Sequence, residues 1–177
     1  MPTTWHLCSN LDEPVTLAAH LMRRFHQDLA DADVRVLILF AANPDTPPLK
    51  KGGYPAAALV RVLALKWRVV TGYDALVELD QAVWDAAERD RRAAIIDHEL
   101  SHLELVVAEN EEGKVVPVRD DANRPKLKLR DGDWFVGDGF VEVIERHGEA
   151  ALEVVIIQSA YRQATEALNQ AFAEAGN

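Results

Sequence analysis

The chain is short of several things, and each shortage narrows what it can be. It has one cysteine, Cys8, so no intramolecular disulfide can form and a reducing compartment is expected. No wholly apolar run approaches the roughly 20 residues that span a bilayer. The start, Met1-Pro-Thr-Thr-Trp-His6, lacks a charged stretch followed by an apolar one, so no signal peptide is read there. The expectation is a cytoplasmic protein without a membrane partner. Basic charge is also scarce: 19 Lys and Arg stand against 29 Asp and Glu, a formal net charge of −10. Such a chain repels a polyanion, which counts against nucleic acid as its main partner. Internal repeats and low-complexity tracts are absent.

What is present suits one folded domain. The 177 residues are 49% hydrophobic, enough for one core. The expected core covers about 13–148, with a C-terminal helix over 149–175. Charge is uneven along it. Lys114, Arg119, Arg124, Lys126, Lys128 and Arg130 cluster with only Asp120 and Asp121 among them. The plain reading is a solvated hairpin face. The sharper one is a contact surface for an acidic partner.

Periodicity gives the elements. Leu17, Leu21, Phe25 and Leu29 recur every four residues, so 13–30 reads as an amphipathic helix with Pro14 in its first turn. His20 and His26 fall on different faces of it and read as surface or boundary residues. Val34–Phe40 is a buried strand. A loop rich in Pro and Gly follows over 43–54. Residues 57–70 favour a long strand, with helix as the alternative, and Gly72 closes it. Ala75–Leu79 reads as a strand, and 81–87 as the start of a helical region. A helix covers 89–106. A hairpin turns at Asn110–Gly113, an extended piece lies at Lys126–Leu129, and helices return from Phe140 onward. This order gives an α+β class with a small sheet and helices packed on it.

One short pattern carries chemistry. Ile95-Ile-Asp-His-Glu-Leu-Ser-His-Leu103 contains H-E-x-x-H. A shuffled chain of this composition would show it in roughly 2% of cases. His98 and His102 are about 40° apart around a helix, within reach of one tetrahedral zinc. Glu99 is rotated about 100° from His98, beside the metal, where it can act as general base. Ala93, Ile96, Leu100, Leu103 and Val107 lie opposite, as if one face packs on the sheet and the other opens to a cleft. The bland alternative is a helix with two surface histidines and an exposed glutamate.

Such a zinc needs a third protein ligand. A third histidine six residues after His102 does not exist, because position 108 is Ala. Asp131, Asp133 and Asp138 cluster in the stretch 130–139, and Asp133 or Asp138 is the expected third ligand. Glu142 and His147 stand behind them. Each of these alone is also an ordinary cap or turn residue, Asp138 being a natural N-cap for 140–146. Tyr54, Tyr73 and His147 could assist at an oxyanion, with nothing to rank them.

Several stretches together resemble the putative phage metallopeptidase family. They are Thr71-Gly-Tyr-Asp74, Ala75-Leu-Val-Glu-Leu79, Trp84, Arg92–His102, Arg124-Pro-Lys-Leu127 and Phe140–Gly148. The resemblance covers roughly 35–148 and is most specific at Asp97–His102. It implies a minimal zincin-like domain of phage or prophage origin, similar in outline to the SprT-like domain and acting in a bacterial host cell. A short β-sheet would pack on the site helix, between flanking N- and C-terminal helices. It also implies zinc at His98 and His102, Glu99 as catalytic base, and a protein or peptide substrate. The chain departs from the family where relatives carry a His-Asp pair after the basic loop; here Gly132-Asp133 stands. That departure motivates a rival expectation, a catalytically degenerate zincin scaffold that binds protein or nucleic acid. The oligomeric state stays open.

Overall fold

The computed structural model describes residues 1–132 and 139–175, with side chains as far as Asn169. In chain order the elements are β1 (Thr4–Leu7), α1 (Glu13–Phe25), α2 (Gln27–Asp31), β2 (Val36–Ala42), β3 (Lys50–Lys51), β4 (Tyr54–Pro55), β5 (Ala58–Val62) and α3 (Leu65–Thr71). They continue with β6 (Ala75–Asp80), α4 (Gln81–Ala86), α5 (Arg89–Ser101), β7 (Leu103–Leu105), β8 (Val107–Glu109), β9 (Val115–Pro117), β10 (Leu127–Leu129), α6 (Val141–His147), a 3-10 turn (Gly148–Ala150) and α7 (Leu152–Ala175).

The main sheet has the order β1-β2-β6-β5. β2 and β6 run parallel from Val36↔Ala75 to Ala41↔Asp80, and both outer strands are antiparallel to their neighbours. β5 is therefore an edge strand. Ile38, Val77 and Leu79 meet Leu21, Leu29, Ile95, Ile96 and Leu100 in one core. Each fully buried aliphatic side chain there contributes roughly 1.5–3 kcal/mol. The class is α+β, a small sheet with several helices, and is compatible with a small zincin-like domain. Among the described residues no helix is long and apolar enough to cross a membrane.

Three element readings need correction. The 57–70 stretch is not one strand: after Val62 it becomes helix α3, stopped by Gly72 in the left-handed region at φ 76°. The cause is tertiary. Arg68 is buried and reaches Asp74 Oδ1 at 2.7 Å, Asp120 Oδ2 at 2.6 Å and the Pro125 carbonyl at 2.6 Å. Turning Arg68 inward leaves the β-formers Trp67, Val69 and Val70 exposed. The helix expected over 89–106 ends at Ser101, because Leu103–Leu105 pairs with β10. The 13–30 helix breaks at His26, which separates α1 from α2.

Most of the basic cluster pairs within the chain, Arg124 largely buried and Lys114, Lys128 and Arg130 at the surface. Arg124 binds Asp74 and Asp33 at 2.5 and 2.9 Å, Lys128 binds Glu104 at 3.1 Å, and Arg130 binds Glu142 at 2.6 Å. Lys114 pairs with Glu112, and Arg119 donates to the Asn123 carbonyl. These partners favour the plain reading of the cluster over a charged docking face.

Candidate metal centre

Helix α5 is held at its start by Arg92, which donates to the Trp84 carbonyl at 3.0 Å and to Glu13 at 2.7 Å. From Ala94 to Ser101 every residue is buried. The expected open face is narrower than the sequence suggests: the helix is packed by the sheet, α1, α6 and the start of α7, and it is Glu99 and His102 that reach a cavity. Polar side chains in such a place need specific partners. The consecutive residues Asp97, His98 and Glu99 each find them on a different element.

Asp97 points toward α1 and α6. His26 Nε2 lies 2.6 Å from its Oδ1, His147 Nε2 lies 2.9 Å from its Oδ2, and Arg146 Nη1 lies 3.1 Å from both oxygens. Burial by itself would raise this carboxyl's pKa. The hydrogen bonds from His147 and His26 and the positive charge around it win, and hold it far below the usual carboxylate range. His26 is thus a buried partner of Asp97 rather than a surface residue. His147, one of the weaker ligand candidates, is committed to the same carboxylate.

His98 points toward α7. Its Nδ1 is 2.7 Å from Glu153 Oε1, with the histidine side chain fully buried and the glutamate nearly so. Glu153 Oε2 is also buried and has no hydrogen-bond partner among the described residues. His102 sits at the end of α5, where the β7–β10 ladder begins. It exchanges two bonds with Arg130: the Arg130 N–H donates to its carbonyl at 2.7 Å, and its Nδ1 is 2.9 Å from the Arg130 carbonyl. A carbonyl only accepts, so His102 Nδ1 carries the proton and Nε2 presents its lone pair.

The spacing of the two imidazoles fits a shared zinc ion, as far as two ligands can. In both rings Nδ1 is anchored by an oxygen acceptor, an arrangement that orients an imidazole for metal binding through its other nitrogen. The ring centroids are 5.0 Å apart. Two imidazoles sharing one tetrahedral zinc at about 2.0–2.1 Å per bond would sit about 5 Å apart. The Glu153 carboxylate also offsets positive charge placed on His98.

Glu99 points toward the open edge of the sheet. It is 2% exposed, and it accepts a hydrogen bond from the Val60 N–H on β5. Burial pushes its carboxyl up to about 8, against the lowering effects of Lys51 and the Val60 N–H. A cavity of about 180 Å³ opens here, between Lys51, Ala58–Val60, Glu99, His102 and the 129–132 segment. Lys51 Nζ crosses it to donate to the Gly132 carbonyl at 2.8 Å.

Asp133 and Asp138 lie outside the described residues. Asp131 lines the cavity beside Glu99 and His102. Glu142 is paired with Arg130 at 2.6 Å. Tyr54 and Tyr73 do not line the cavity. Among the described residues no group of three His, Cys, Asp or Glu gathers as a metal site.

Two participants went unread in the sequence. Glu153 looks like any acid in the first turn of a helix, and only the packing of α7 on α5 reveals it. Phe140 places its ring 4.9 Å from His98 and 4.8 Å from His102. Gly132 fits against that ring, where a Cβ would fall 2.3 Å from Phe140 Cζ. Any side chain at 132 would displace the ring that walls both histidines.

No curated protein and no solved structure matches the chain. The family described as Putative phage metallopeptidase matches it over residues 9–168, from before α1 well into α7. That span takes in Glu153 as well as the H-E-x-x-H helix, and with most of its length matched the chain belongs to the putative phage metallopeptidase family.

Proposed function

We propose that this chain is a zinc-dependent peptidase in which His98 and His102 hold the metal through Nε2 and Glu99 is the general base. The observation that carries the reading is the pair of anchored imidazoles, 5.0 Å apart with each Nδ1 on an oxygen acceptor. The third protein ligand is assigned from the sequence to Asp133 or Asp138. Bound zinc would supply a Lewis acid that polarises the scissile carbonyl and lowers the pKa of water.

The chain's own residues account for the proton. Glu99 accepts it at its carboxylate and returns it to the leaving amine. Burial raises the basicity of this carboxyl above that of an exposed glutamate, and a zinc ion bound beside it would draw it back toward the carboxylate form. The Val60 N–H holds that carboxylate toward the cavity.

The edge strand supplies a way to hold a peptide. Asp80 N bonds the Ala57 carbonyl and Leu63 N bonds the Asp74 carbonyl, so odd-numbered residues of β5 face β6. The backbone groups of Ala58 and Val62 and the Val60 carbonyl then face the open side, while the Val60 N–H is taken by Glu99. An extended substrate can lie along that edge as an added strand, beside Glu99.

The test is cleavage of internally quenched peptides by zinc-loaded protein. Glu99→Gln is expected to lower turnover by about 10²–10⁴-fold while zinc stays bound. Equal turnover in the variant would overturn the assignment. Phe140 against both rings, with no third ligand among the described residues, favours a second reading: a degenerate zincin scaffold that binds protein or nucleic acid without turnover. For that reading Glu99→Gln would leave every binding property intact and no peptide would be cleaved.

A further inference from the structure

A second and larger cavity lies beside the catalytic cleft. Its volume is about 540 Å³, within the roughly 300–1,000 Å³ usual for ligand pockets. Pro47, Tyr54, Ala57, Val83, Leu152 and Ile156 form its walls. Polar groups are present at the rim, but they are engaged in building it. Asp80 Oδ1 caps α4 through Ala82 N at 2.9 Å and Val83 N at 3.2 Å. Asn43 Oδ1 accepts from Asp45 N at 2.9 Å, Asp45 pairs with the chain's amino terminus, and Lys51 reaches Gly132. What faces the space is apolar.

Two features place this cavity next to the cleft. Lys51 lines both. The chain also runs directly from one to the other: Tyr54–Ala57 line the larger cavity and Ala58–Val60 the smaller. The first turn of α7 joins them from the other side, since Glu153 holds His98 while Leu152 and Ile156 face the larger cavity.

We propose that this cavity is the specificity pocket of the peptidase and takes a large aliphatic or aromatic side chain of an extended peptide lying along β5. The proposal rests on the peptidase reading above and adds the substrate class. From Val60, beside Glu99, to Ala57 is three residues, or about 10 Å at about 3.3 Å per residue. The pocket therefore selects a residue about three positions from the scissile bond, on one side only.

The pocket is tested separately from the catalysis. Glu99→Gln protein is titrated with capped hexapeptide amides that differ by Leu, Phe or Ser at a single position, and binding is followed by methyl NMR. Leu and Phe peptides are expected to bind at least tenfold more tightly than Ser, the size expected from burying one large apolar side chain. The shifts should fall on Val83, Leu152 and Ile156. Ala82→Trp and Pro47→Trp, both at exposed wall positions, should each abolish the preference. Equal binding of all three peptides, or shifts elsewhere, would overturn the pocket. A positional cleavage library on the wild type forms the second arm. Apolar preference at one position, lost in Ala82→Trp, supports the proposal, and turnover without such preference overturns it. The binding preference with no cleavage of any peptide would keep the pocket as a peptide site and overturn the peptidase reading instead.

Discussion

Three adjacent residues of one helical turn, Asp97, His98 and Glu99, do different physical work because each meets a different neighbour. Asp97 is a structural anion. Its folded-state pKa is depressed, so its contribution to stability is present above the ordinary carboxyl value of 3.8 and lost as pH falls. Asp97→Asn would leave His26, Arg146 and His147 without their shared partner, and about 3–5 kcal/mol of stability should be lost at neutral pH in urea denaturation. A loss below about 1 kcal/mol would contradict this role. Glu99 has the opposite sign. Its folded-state pKa is raised, so its contribution is fully present below pH 4.5 and is lost as pH rises through about 8. Metal-free Glu99→Gln should therefore be more stable than the metal-free wild type at pH 8, by on the order of 5 kcal/mol or less. The two should converge near pH 4.5 in thermal melts, and identical melts at both pH values would contradict the burial argument. Glu153 acts through His98. Glu153→Ala should weaken zinc binding about 10–100-fold in chelator competition, with partial recovery in Glu153→Gln, whose amide oxygen still accepts from Nδ1.

At the scale of elements, α5 was readable because its chemistry sits at helical spacing within one stretch of sequence. Its surroundings were not. The end of the helix at Ser101 is set by strand pairing with β10, far along the chain, and local propensity carries no trace of it. α3 was misread because Trp67, Val69 and Val70 look like a buried strand, whereas the residue that fixes the element is Arg68, through Asp74 and Asp120. The C-terminal helix was readable as a helix but not as part of the site. Its first turns pack inward, while residues from Gln158 to Asn169 are almost all exposed. Two truncations should separate these parts. Ending the chain after Ile157 should leave zinc affinity within about threefold of the full chain, since among the described residues from Gln158 onward none touches His98 or His102. Ending it after Gly148 removes Glu153 and should cost at least as much affinity as Glu153→Ala. Equal zinc affinity in the two truncations would sink the assignment of α7 to the site.

For the whole molecule, the class and the helix carrying the motif follow from pattern alone, since an α+β order of elements and a six-residue motif are local properties. The enclosure of that helix and the edge strand beside it are products of packing among elements far apart in sequence. So is the apolar cavity leading away from the cleft. Peptidase chemistry in this fold depends on a metal at His98 and His102. The direct measurement is metal content by elemental mass spectrometry on protein purified without added zinc, beside His98→Ala and His102→Ala that retain the wild-type circular dichroism. One zinc per chain, lost in both variants, is the expected result. A wild type without zinc even after reconstitution, or zinc retained in folded variants, would contradict the metal centre and leave the binding scaffold as the account of the fold.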